Sequence, residues 1–299
     1  MKKFFLTAVA AMMAFFAQAQ VVEVAGIERV ALPEGTRSEI AVISPDGSYA
    51  VIGEMGATTL SKVDLAGGTT TVLTRNGNPQ GVVISPDGQN IVFRTTTYNN
   101  RLRYTGLNII SVNGGAERVL VKPSRHLNAG VGISATGVTA VEGGKARVKN
   151  FGSSRAQSMP VASINYGSLE ITVDGKTRTI DPQGRGSYLW PSISPDGTKV
   201  VYFLSGAGTF VCNLDGSDVR PLGHIRAARW LGNDKVVGMN DVDNGETLIS
   251  SSIVASDLNG VHQTISPADA IAVFPSATAD GSKVMYSTAD GALYLINLK

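Results

Sequence analysis

Three side chains offer the best prospects for chemistry: Tyr188, His224 and Arg226. An imidazole titrates near neutral pH and serves as acid or base, while a phenol or a guanidinium beside it can donate protons or hold an anion. The remaining histidines, His126 and His262, are far away in sequence, so no short spacing of metal ligands exists. A second concentration of recognition-type residues is Arg94, Tyr98, Arg101, Arg103 and Tyr104; Arg and Tyr are favoured at binding hot spots, so this stretch is a candidate protein contact. The run Asp241-Val242-Asp243-Asn244-Gly245-Glu246 alternates carboxylates ahead of a glycine, as a calcium loop would. It lacks the distant bidentate Glu of such loops, and Asn-Gly at its centre reads better as a hairpin turn. No Gly-x-Ser-x-Gly elbow, phosphate-cradling loop or His-Glu-x-x-His pair is present. The residues therefore imply no catalytic set, no metal and no cofactor.

The elements that must position these groups announce themselves by repetition. Ser-Pro-Asp-Gly occurs at Ser44–Gly47, Ser85–Gly88 and Ser194–Gly197, each time between an apolar strand and a β-rich one. Pro presets φ for the turn, Asp accepts backbone N–H bonds, and Gly takes the positive φ. The Asp residues are thus turn-makers. Eroded copies stand at Ser134-Ala135-Thr136-Gly137, near residue 230, and at Thr278-Ala279-Asp280-Gly281. From 44 to 278 is 234 residues in five steps, about 47 per step, which suits a four-stranded propeller blade. The strands are short and rich in Val, Ile, Thr and Tyr, and no long stretch of helical periodicity follows residue 20.

The expectation is an all-β, six-bladed β-propeller over residues 20–299, forming one domain. The last blade runs out at Leu293–Leu298, so the stretch Ile27–Leu32, which resembles the strand Ala116–Val121, is expected to complete it and remove the open edge. The stretch Asn150–Gly167 is longer than a blade needs and reads as an extended surface loop.

Residues 1–19 have the layout of a signal peptide: Lys2-Lys3, an apolar run from Phe4 to Phe16, then Ala17-Gln18-Ala19, with cleavage expected before Gln20. The run is short for a membrane anchor, and no Cys near the cut offers a lipid site. A periplasmic or extracellular address is expected. Losing Lys2 and Lys3 takes the 26 basic residues to 24, against 24 acidic ones, so a nucleic-acid role has no electrostatic basis. Cys212 stands alone, cannot form an intramolecular disulfide, and is expected as a core thiol.

The Ile-Ser-Pro-Asp-Gly frame, the spacing and the strand endings of the type Asp257-Leu258-Asn259-Gly260 resemble the TolB-type, or WD-like, propeller repeat. The resemblance implies a six-bladed ring and leaves function open. TolB itself carries an α/β domain ahead of its propeller, and this propeller starts soon after the cut, so the chain is not expected to be TolB.

A propeller places its innermost strands around a channel. Counting six residues back from each anchor gives Ser38, Pro79, Asn128, Tyr188, His224 and Ala272; counting four back gives Ile40, Gly81, Gly130, Trp190, Arg226 and Phe274. Period-two alternation sends both sets to one side. The expected ligand or partner site is therefore Asn128, Tyr188, Trp190, His224, Arg226 and Phe274, unless Trp190 and Phe274 pack between blades. Two functions follow. One is a non-catalytic scaffold or binding module for an envelope protein or a glycan. The other is a channel-mouth lyase or hydrolase using His224 with Tyr188 or Arg226.

Overall fold

A computed structural model describes residues 20–299 apart from 55, 57, 77 and 78; the expected leader lies outside the described residues. The chain begins with β1 (Val24–Arg29). Blade one is β2 (Ile40–Ile43), β3 (Tyr49–Gly53), β4 (Leu60–Asp64) and β5 (Thr70–Thr74). Blade two is β6 (Gln80–Ile84), β7 (Asn90–Asn99), β8 (Leu102–Ser111) and β9 (Arg118–Ser124). Blade three has three strands, β10 (Leu127–Ile133), β11 (Gly137–Glu142) and β12 (Lys145–Asn150). Blade four also has three, β13 (Val161–Asn165), β14 (Ser168–Val173) and β15 (Lys176–Thr179). Blade five is β16 (Tyr188–Ile193), β17 (Lys199–Leu204), β18 (Gly208–Asn213) and β19 (Arg220–Gly223). Blade six is β20 (Arg226–Leu231), β21 (Lys235–Asp243), β22 (Leu248–Asp257) and β23 (His262–Thr264). Blade seven is β24 (Ala272–Ala277), β25 (Lys283–Thr288) and β26 (Leu293–Leu298), with β1 as its outermost strand. The innermost strands touch in chain order, and β24 touches β2.

The fold is an all-β propeller, and it has seven blades rather than the six expected from the spacing. The step from the Ser134 anchor to the Ser194 anchor holds two blades. Both lack an outermost strand, so together they fit into little more than one blade's length of chain. Blade four also turns differently. Asn165 pairs with Ser168 across Tyr166 (φ 48°) and Gly167 (φ 88°), a two-residue hairpin with both central residues left-handed. The expected surface loop 150–167 therefore contains β13, whose Val161, Ala162 and Ser163 are buried.

The turns behave as their residues dictate. In the first, the Ser44 hydroxyl donates to Asp46 at 2.6 Å, the Ser48 N–H donates to the same carboxylate at 3.1 Å, and Gly47 takes φ 69°. Thr278 replaces the serine in blade seven and donates to Asp280 at 2.7 Å. These hydroxyl donors, more than any other contact, hold the carboxyls of Asp46, Asp196 and Asp280 below the usual carboxylate range. A carboxyl depressed on folding stabilises the protein above its unfolded pKa and ceases to as pH falls through the folded value. Thermal unfolding followed from pH 7 to pH 2.5 should show the melting temperature falling below about pH 4. The triple variant Asp46→Asn, Asp196→Asn, Asp280→Asn should show a flatter fall; an unchanged slope would remove the turns as its source.

Closure follows the expected clasp. β1 pairs antiparallel with β26, from Val24 opposite Leu298 to Arg29 opposite Tyr294. The N–H groups of Val21 and Val22 both donate to Gln263 Oε1, at 2.7 and 2.9 Å, which ties the strand's approach to blade six. Core clusters bridge neighbouring blades: Ala41, Ile43 and Ile52 of blade one pack with Met285, Leu293 and Leu295 of blade seven. Cys212 is 1% exposed within such a cluster, and burial pushes its thiol up to about 12.

Candidate site at the channel mouth

The innermost strands are not plain strands. In blades two, five, six and seven the register to the second strand shifts part-way along, the mark of a β-bulge. The bulged residues are Gly81 (φ 55°), Trp190 (φ 48°), Ala227 (φ 51°) and Phe274 (φ 51°). Glycine accepts this conformation freely, but an aromatic residue held there is strained by roughly 1–2 kcal/mol. Two aromatics thus hold a left-handed backbone at the same level of the ring.

The bulge changes which residues face the mouth. Tyr188 is fully buried; its ring lies 5.4 Å from that of Tyr202, and its hydroxyl donates to Gly184 O at 2.9 Å and accepts from Gln183 N–H at 3.0 Å. Ser38, Pro79 and Ala272, at the position aligned with it, are buried too. The blade six member of that set is Ile225, also fully buried, because the alignment lies one residue off there. His224 is consequently free of the core, with 55% of its side chain exposed.

Around it the structure assembles a cluster from blades five and six. Arg226 stacks its guanidinium over the Trp190 ring at 5.2 Å. Trp190 packs on Phe203 at 5.5 Å, and Phe203 meets the His224 ring edge-on at 5.8 Å. Arg226 Nη1 donates to Asp241 Oδ2 at 2.5 Å and to Asp243 Oδ2 at 3.3 Å. The Asp241 side chain is 1% exposed, and its other oxygen, Oδ1, has no hydrogen-bond partner. His224 Nε2 stands 3.9 Å from that oxygen, beyond hydrogen-bond distance. Arg229, three residues further along the same strand, donates to Ala228 O at 3.0 Å, and desolvation of its guanidinium lowers its pKa.

Of the six residues expected at the mouth, Trp190, His224 and Arg226 come together. Asn128 instead bridges blades three and four, its Nδ2 donating to Ser163 Oγ at 3.1 Å. Phe274 stands 41% exposed on blade seven. Sequence reasoning missed Phe203, Asp241 and Asp243 as partners. The acidic run was visible, and as expected it forms a hairpin, with Asn244 Oδ1 accepting from the N–H groups of Glu246 and Thr247. That Asp241 and Asp243, two apart on β21, both reach Arg226 on β20 needed the sheet. Among the described residues no group of three or more His, Cys, Asp or Glu is placed to hold a metal ion.

The Arg–Tyr stretch lies on the longest hairpin of the blades, two strands of ten residues. Arg94 and Tyr98 share one face of β7, and Arg103 lies opposite Tyr98 on that face. Tyr104, opposite Thr97, falls on the other face, and Arg101 sits in the turn with φ 64°. The expected single patch is thus divided between two faces.

No protein-family model and no curated protein matches the chain. Among solved structures it is similar to an oligogalacturonate lyase in complex with manganese, with a TM-score of 0.50 and 17% identity, covering 89% of this chain and 78% of that one. At that identity the likeness shows the fold alone. The chain is a β-propeller, and its seven blades depart from the six that the TolB-type resemblance implied.

Proposed function

We propose that the protein is a non-catalytic binding module that holds a glycan at the mouth between blades five and six, working outside the cytoplasm once a leader is removed. One observation carries this reading: Asp241 is a buried carboxylate oriented by Arg226 through one oxygen, while the other oxygen is left without a partner beside an aromatic wall. A buried acceptor left open is costly, about 1–3 kcal/mol, unless something satisfies it. A sugar hydroxyl supplies the donor, and its C–H face suits an aromatic ring such as that of Trp190. The imidazole of His224, more than half exposed, stands 3.9 Å from the open oxygen.

A second reading rests on the same geometry. Asp241 Oδ1 faces His224 Nε2, as the orienting carboxylate of a general base would, and the solved likeness is a lyase. Tyr188 takes no part in it, being buried and fully hydrogen-bonded.

Calorimetric titration with a panel of envelope and plant-wall oligosaccharides separates the two. The expected result is saturable binding with no product formed, weakened about tenfold or more in Asp241→Asn. No binding to any glycan would sink the proposal. A new unsaturated or shortened sugar that vanishes in His224→Ala would transfer the site to the second reading.

A further inference from the structure

We propose that blade two carries a separate oxyanion-binding site, centred on Arg94, that takes a carboxylate, sulfate or phosphate group. Arg94 on β7 lies opposite Gln80 on β6 and Leu107 on β8. Its Nε is buried without a hydrogen-bond partner, and among the described residues no carboxylate pairs with it. A half-buried guanidinium with no counter-charge is rare, because such charges are held by pairing. The nearest other charge makes matters worse: burial lowers the Arg94 pKa, and Arg103 lowers it further.

The surroundings are rich in donors. Arg103 Nη2 donates to Gln80 Oε1 at 3.3 Å, which uses the neighbouring amide oxygen. Thr96, two residues along the same face, has a buried hydroxyl without a partner. The fold makes room for the guanidinium. A Cβ on Gly81 would lie 2.8 Å from Arg94 Nε and 3.1 Å from Nη2, and Gly81 is the bulge position that carries Trp190 and Phe274 in other blades. Two guanidinium groups and a free hydroxyl that can turn its O–H toward a ligand, with no carboxylate among them, fit one ligand chemistry: a multidentate anion. Arg94 stays partly exposed, so such a group can reach it.

The test is titration of the full chain with sodium sulfate, phosphate, acetate and glucuronate, with chloride holding ionic strength constant. Binding is read by calorimetry and by thermal unfolding. The expected result is a saturable rise in melting temperature with at least one oxyanion, weakened at least tenfold in Arg94→Gln and in Arg103→Gln. Sulfate and phosphate against the carboxylates decides between tetrahedral and planar ligands. Arg103 lies at the open end of the hairpin, so Arg103→Gln keeps the test valid should Arg94→Gln fail to fold. Responses equal to that of chloride, or the same response in the wild type and Arg103→Gln, would overturn the site. Blades five and six are untouched by these changes, so failure here leaves the glycan reading standing.

Discussion

Replacing Arg226 with alanine should cost about 3 kcal/mol of folding stability at pH 7. The reason is the partner left behind. Asp241 is 1% exposed, already has one oxygen without a partner, and would lose the 2.5 Å bond on the other. Stranding a buried charge is generally worth 3–5 kcal/mol, and the lower end applies because Arg226 is itself 32% exposed, so water can follow its removal. Trp190 would also lose its cation–π partner, a further ~0.5–1 kcal/mol. Urea unfolding provides the measurement. The double variant Arg226→Met, Asp241→Leu should regain most of the loss, since two apolar groups strand nothing. A single variant as stable as the wild type would mean that Asp241 finds another partner, and the proposed site would lose its fixed carboxylate.

Deleting residues 20–32 should have the larger effect, on the order of 5 kcal/mol, with loss of a sharp thermal transition. β1 supplies blade seven with its fourth strand through five register pairs with β26, and Val30 N–H adds a bond to Leu293 O at 2.8 Å. Val22 belongs to the core formed by Ile253, Ile296 and their neighbours. Without the clasp, β26 becomes an open edge and the two ends of the ring are no longer joined by a shared sheet. Size-exclusion chromatography should then show association through that edge. A monomer with the wild-type melting temperature would show that the packing of β2 on β24 closes the ring unaided.

Much of this molecule is local and therefore legible. Pro, Asp and Gly in a fixed order make one kind of turn, and the contacts at Ser44, Asp46 and Gly47 are those their chemistry predicts. Alternating β-branched residues make short strands, and a final blade lacking a strand calls for one from the other terminus. The blade count escaped because it was measured with a single ruler. Blade four turns on Tyr166-Gly167 instead of Ser-Pro-Asp-Gly, although Val161–Asn165 and Ser168–Val173 are themselves readable as strands flanking a tight turn.

The site divides along the same line. Sequence alone determined the propeller, its turns and its clasp, and it named Trp190, His224 and Arg226 as candidates, because each of these readings follows from the pattern along the chain. Tertiary structure decided the number of blades and the membership of the site. A bulge adds one residue and reverses the parity of every side chain beyond it, so Tyr188 went to the core, and in blade six, whose turn lies one residue off, the core position fell to Ile225 and left His224 at the mouth. The contacts that give the site its character, Arg226 on Trp190 across two blades and Asp241 on Arg226, join strands whose approach no local pattern records.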